Sequence, residues 1–218
     1  MRRSLLLTSG LAVVLVALAA ALTWAAFAGV GPADSDRAAL VTAIDDRSPG
    51  LTDAAVVFTT IGSTAAMAVL AGVVGVVLWV RGRRSDGVWL IATTATASAV
   101  FTLVKRVLDR PRPPEAVRLV EVGNESLPSG HATMSAVVIG ALVVLAWPAM
   151  HGATRRLVVL AAVLWIGGVG ATRIYLGVHW FSDVLAGWAT GFAWLAVCTG
   201  VLLWWRSRSP VTGVIRPG

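Results

Sequence analysis

Three short polar stretches in this chain carry residue types suited to chemistry. They are Lys105 with Arg112 and Pro113 (K-x6-R-P), Pro128-Ser129-Gly130-His131, and Arg173 followed by His179 and Asp183 (R-x5-H-x3-D). Together they supply three fixed positive charges, two imidazoles, and a carboxylate four residues after the second imidazole. An arginine fork matches phosphate oxygens in a bidentate way, and a lysine adds a point charge. A carboxylate bonded to one imidazole nitrogen fixes the tautomer and leaves the other nitrogen free to attack. The set is equipped to transfer a phosphoryl group through a histidine, without a metal ion.

Each stretch has local reasons to aim its side chains. Arg110-Pro111-Arg112-Pro113-Pro114 is a stiff, extended turn that fixes where a guanidinium points. Lys105 is the only lysine; its charge is costly in lipid, so it faces the bundle interior or snorkels to the interface. Ser129 suits a helix N-cap, and Gly130 lets backbone approach a ligand closely. Amides at a helix start form an anion site, and His131 in the first turn is placed to protonate a leaving oxygen. His179 and Asp183 share a face if a helix begins just before them. Singly, these are a snorkelling lysine, a plain helix start and a capping His–Asp pair. All three together, in order, favour a site.

The elements that must position these residues are apolar. The chain of 218 residues is 57% hydrophobic and 13% charged, with a mean hydropathy of +0.80, against about 25% charged in soluble domains. A spanning helix needs roughly 20 apolar residues. Six runs qualify or nearly so: 5–28, 54–80, 88–108, 132–149, 157–176 and 181–205. The expected fold is all-α: one membrane domain, 1–218, of six transmembrane helices. Pro148 marks the exit of the fourth. The first run follows Arg2 and Arg3 but exceeds a signal peptide's h-region of about 7–15 residues, so it reads as an uncleaved span. The polar connector 31–53 holds a short surface helix from Asp36, capped by Asp34 or Ser35. Residues 206–218 read as a disordered cytoplasmic tail.

Basic residues orient the bundle. Arg2, Arg3, Arg81, Arg83, Arg84, Arg155, Arg156, Arg206, Arg208 and Arg216 fall on one side if six spans alternate. Cytoplasmic connectors collect such residues. Both termini are then inside, and the three stretches emerge at the outer interface of a plasma membrane. The net charge of +7 needs no nucleic acid to explain it. Trp79, Trp89, Trp147, Trp180, Trp204 and Trp205 lie near span ends, as amphipathic rings do. The lone Cys198 is a packing residue. Asp109, Glu115, Glu121 and Glu125 are scattered without ligand spacing, so no metal site is expected.

The three motifs resemble those of the type-2 phosphatidic acid phosphatase superfamily, which also includes vanadium haloperoxidases and bacterial acid phosphatases. The resemblance is specific over 88–205. It implies a multi-pass membrane hydrolase that works without metal or other cofactor; the short loops, the Ala/Gly/Val-rich spans and the lack of a disulfide pair suggest a bacterial membrane. It makes His179 the nucleophile that becomes a phosphohistidine, Asp183 its orienting group and His131 the general acid. Lys105, Arg112, Arg173, Ser129 and Gly130 hold the phosphate. Thr172 stands where the family usually has serine, and keeps the hydroxyl. The implied substrate is a lipid in the bilayer: phosphatidic acid, phosphatidylglycerol phosphate or a polyprenyl pyrophosphate. Two alternatives stay open. One is a phosphotransferase with an acceptor other than water. The other is a lipid-phosphate transporter, which needs the cations but not the His–Asp pair. One neutral and one protonated histidine predict a bell-shaped pH profile.

Overall fold

The computed structural model describes residues 2–208. Within them the chain forms α1 (Arg2–Ala28), α2 (Asp36–Asp45), α3 (Pro49–Ile61), α4 (Thr64–Val80), α5 (Arg84–Leu108), α6 (Gly130–Ala146), α7 (Gly152–Tyr175) and α8 (Phe181–Arg208). There is no strand among the described residues, so the fold is all-α. Five helices (α1, α5, α6, α7 and α8) are individually long and apolar enough to cross a membrane. Helices α3 and α4 together make a sixth candidate span, bent by 43°.

That bend differs from the single span expected over 54–80. Gly62 ends α3, and a side chain there would collide with Val169 of α7. Ser63 then restarts the helix by accepting the amide of Ala66 at 3.1 Å. Several helices also outrun their apolar stretches, because hydropathy marks only the part inside hydrocarbon. α5 starts at Arg84 and α7 at Gly152. Residues 206–208 of the expected tail are helical, held in part by Arg206 bonding Asp86; residues 209–218 lie outside the described residues. In the connector, Ser35 is the N-cap of α2 without a side-chain capping bond. Trp89 is turned inward, donating to the Cys198 carbonyl at 2.8 Å.

Helix α6 is the central element. Every residue from Ala132 to Val138 is buried, as befits a helix apolar on all sides. Around it pack Met67 and Ala71 of α4, Leu90 and Phe101 of α5, and Leu195 of α8. The outer helix α1 meets α8 through small residues: Ala19 and Ala26 lie against Ala186, Ala189 and Ala193. Such residues let membrane helices approach without a hydrophobic driving force. Val13 on the same helix is 70% exposed, a surface for lipid rather than water. Helices α6 and α8 also approach closely. A Cβ at Gly187 would sit 2.7 Å from the Ser129 carbonyl oxygen, and one at Gly191 2.7 Å from that of Thr133. Two glycines on α8 thus let the starts of α6 and α8 meet at one end of the bundle.

Candidate active site

The first motif is placed by the way α5 ends. Asp109 takes a left-handed conformation (φ +43°), and its amide bonds the Lys105 carbonyl at 2.9 Å, which stops the helix. Lys105 is 3% exposed, so it faces inward rather than snorkelling. Its ammonium donates to the carbonyls of Glu125 and, at 3.2 Å, Ser126. The Arg112 guanidinium bonds Asn124 Oδ1 (2.6 Å) and the carbonyls of Asn124 (2.6 Å), Glu125 (3.1 Å) and Val178. One of its nitrogens lies 3.1 Å from His179 Nε2. Trp180 pins this turn by donating to the Pro111 carbonyl at 2.9 Å.

The turn between α7 and α8 presents His179. Gly177 has φ +69°, and Arg47 crowds the place of its absent Cβ, so only glycine suits the position. The amides of Val178 and His179 both bond the Arg173 carbonyl, at 3.1 and 3.2 Å. Nδ1 of His179 lies 3.4 Å from Asp183 Oδ2. That oxygen also accepts the Trp180 amide at 3.0 Å and the Ser126 hydroxyl. Asp183 is fully buried and its other oxygen accepts from Arg110. Burial pushes the His179 imidazole down to about 3, with Arg112 adding to the fall and Asp183 opposing it. The ring is therefore neutral at pH 7 and has a lone pair to give.

The second motif opens α6. Ser129 occupies the N-cap, but its side chain makes no capping bond. Its hydroxyl is buried without a hydrogen-bond partner among the described residues, while its amide bonds the Asp183 carbonyl at 3.0 Å. Gly130 and His131 follow in the first turn. Arg173, in the last turn of α7, is 4% exposed and donates to Thr59 Oγ1 of α3 at 2.9 Å.

These pieces converge on one cavity of about 610 Å³. Lys105, Arg112, Gly130, His131, Arg173 and His179 all line it; Asp183 and Ser129 stand behind the wall. The cavity continues down α5 to Ser98, seven residues below Lys105 and so about 10 Å deeper along the helix. Three cations around an imidazole, with a second imidazole on the same wall, can bind a phosphate and present it to a nucleophile. Sequence reasoning missed the supporting residues Arg110, Asn124, Ser126, Asp36 and Thr59. Arg110 sat in the proline-rich turn and could have been suspected. The others carried no local signal.

A family model described as the PAP2 superfamily matches residues 86–207. Phosphatidylglycerophosphatase B of Bacillus subtilis is 28% identical over 160 residues, covering 72% of this chain and 78% of that protein. Lipid A 1-phosphatases of Rhizobium johnstonii and Rhizobium etli are 30% and 29% identical over 125 residues, 53% of this chain. Those alignments span 47% and 50% of the two relatives, about half their length. The crystal structure of a transmembrane PAP2 type phosphatidylglycerolphosphate phosphatase from Bacillus subtilis matches with a TM-score of 0.76. It is 23% identical, and the match covers 92% of this chain and 98% of that one. The likeness extends through the first helices, beyond the reach of the family motifs.

Proposed function

The chain belongs to the PAP2 superfamily, and on that premise we propose that it is a membrane hydrolase that removes phosphate from a lipid through a covalent phosphohistidine. The observation that carries this reading is His179, backed by Asp183, on the wall of a cavity shared with Lys105, Arg112, Arg173 and His131. Nε2 of His179 attacks phosphorus and the bond to the leaving oxygen breaks. His131 gives its proton to that oxygen. Water then attacks the phosphohistidine, with His131 taking the proton back, and inorganic phosphate leaves. Phosphoryl transfer is mainly positioning plus stabilisation of charge on the equatorial oxygens. Arg112 is suited to both, since it touches the attacking nitrogen and can exchange its bonds to Asn124, Glu125 and Val178 for phosphate oxygens. The covalent step divides a hard hydrolysis into two easier ones.

The substrate is a lipid because the cavity descends about 10 Å beside a membrane helix below its cationic mouth. The relative matched over 78% of its length is named for phosphatidylglycerophosphate, which makes phosphatidylglycerol phosphate the first candidate. Phosphatidic acid and a polyprenyl pyrophosphate come next. The site faces outward and both termini are cytoplasmic. Supporting this, Arg84, Arg155 and Arg208 stack on Trp79, Trp147 and Trp204 at the end of the bundle opposite the cavity, as a cytoplasmic rim would.

The test is phosphate release by purified protein in detergent with EDTA present, wild type against His179→Ala, on those three lipids and a soluble ester. The expected result is release that survives EDTA and disappears in the variant. Release unchanged by His179→Ala would sink the nucleophile assignment.

A further inference from the structure

Behind the cavity, outside its wall, lies a chain of alternating charges in which only Asp183 belongs to one of the three motifs. Arg110 Nη1 bonds Asp183 Oδ1 and, at 2.9 Å, the Ser182 hydroxyl. Its Nη2 bonds Asp36 Oδ2 at 2.8 Å. Asp36, at the start of α2, also accepts the Ser182 amide at 2.8 Å and its hydroxyl at 2.7 Å. The side chains are 8% exposed for Asp36, 13% for Arg110 and fully buried for Asp183. None of the three lines the cavity.

We propose that Arg110 and Asp36 are positioning residues for the reaction, fixing Asp183 so that its other oxygen, Oδ2, holds His179 in the attacking tautomer. This rests on the phosphohistidine reading above. The geometry supports it in three ways. Arg110 takes Oδ1 of Asp183, so only Oδ2 is left to meet the Nδ1–H of His179. A carboxylate pinned from one side cannot rotate to release the ring. Alone, Arg110 would neutralise Asp183 and weaken its hold on the imidazolium that forms as the phosphorus–nitrogen bond is made. Asp36 offsets that, returning the buried trio to a net negative charge. The guanidinium fork is needed because two carboxylates must be met in two directions at once, which an ammonium does poorly.

The consequence reaches past the motifs. Asp36 lies outside residues 86–207, the part that matches the family, and 146 residues before its partner Ser182. Docking of the surface helix α2 therefore becomes a condition for catalysis, not only for stability. Removing one member of a buried charged set is normally costly, so the conservative changes are the informative ones.

The experiment compares Arg110→Lys, Asp36→Asn and the double variant with wild type and His179→Ala, in detergent. Initial rates over a range of phosphatidylglycerol phosphate give kcat and KM. In parallel, 15N-histidine NMR reads the His179 tautomer; the chain has three histidines, and His179→Ala assigns the signal. The single variants should lose roughly 10- to 100-fold in kcat, as when partners that orient a working imidazole are removed, with KM within about twofold of wild type. Their His179 signal should shift from the Nδ1–H form to a mixture. The double variant should lose little more than the worse single one, since the two residues act as a unit. Wild-type kcat in both single variants would overturn the proposal, as would a fall in kcat with the tautomer unmoved. Were wild type to release no phosphate, the functional reading would fail, and the tautomer measurement would still decide whether Arg110 and Asp36 hold the ring.

Discussion

Replacing Asp183 with asparagine removes one charge and almost no volume, which makes it the sharpest probe of the site. In the proposed mechanism His179 bonds to phosphorus and its ring becomes cationic, and Asp183 is the anion that faces it, 3.4 Å from Nδ1. Two unit charges at that distance attract by about 5 kcal/mol at an effective dielectric constant of about 20. With roughly half a charge developed on the ring at the transition state, about 2.5 kcal/mol is lost, or roughly 70-fold in kcat. That figure is a floor. Asparagine can turn an N–H toward Nδ1, reversing the tautomer and protonating the attacking nitrogen, and such a reversal can cost up to about 10⁴ in kcat. KM should change by less than about threefold, because Asp183 does not line the cavity. The assay is initial phosphate release in mixed micelles across substrate concentration, with a thermal melt to confirm that the variant is folded. A folded variant with kcat within threefold of wild type would refute the reasoning, and so would a loss confined to KM.

Two further outcomes follow from the same geometry. His179 is held neutral, its value lowered from 6.5 to about 3, so protonation of the free enzyme's nucleophile begins only in strong acid. The acid limb of kcat/KM, corrected for the substrate's own ionisation near pH 6, should lie below about pH 4. A corrected acid limb near 6.5 would mean that an ordinary exposed imidazole does the work. Gly187→Ala puts a methyl 2.7 Å from the Ser129 carbonyl oxygen and should cost about 1–3 kcal/mol of stability together with activity. The same change at Gly72, inside α4, where an added methyl meets nothing, should not destabilise and should gain up to about 1 kcal/mol from helix propensity. Equal melting temperatures for the two variants would show that the α6–α8 contact is not tight.

Lys105, Arg173 and Asp183 were visible in the sequence because a charge inside an apolar run must be paired or functional. His131 and His179 were visible through their spacing from those charges. The bend at Gly62-Ser63 was hidden, since both residues occur harmlessly in apolar helices and only Val169 of α7 reveals why one is glycine. Trp89 was misplaced because a tryptophan near a helix end reads the same whether it meets lipid headgroups or a neighbouring helix; the Cys198 carbonyl decided it. Ser129 sits where a cap belongs, yet its hydroxyl caps nothing.

Chain order alone determined the all-helical membrane bundle and the three polar segments, because hydropathy and helix periodicity are local properties read within a few turns. It also singled out the side chains proposed to handle phosphate. Packing alone decided that Arg110 would face Asp183 and Asp36 while Arg112, two residues on, faces His179. Both arginines sit in one rigid proline-rich turn and look alike in isolation. Their partners lie 67 to 74 residues away along the chain, and contacts over such separations depend on how whole helices dock, which no local pattern encodes.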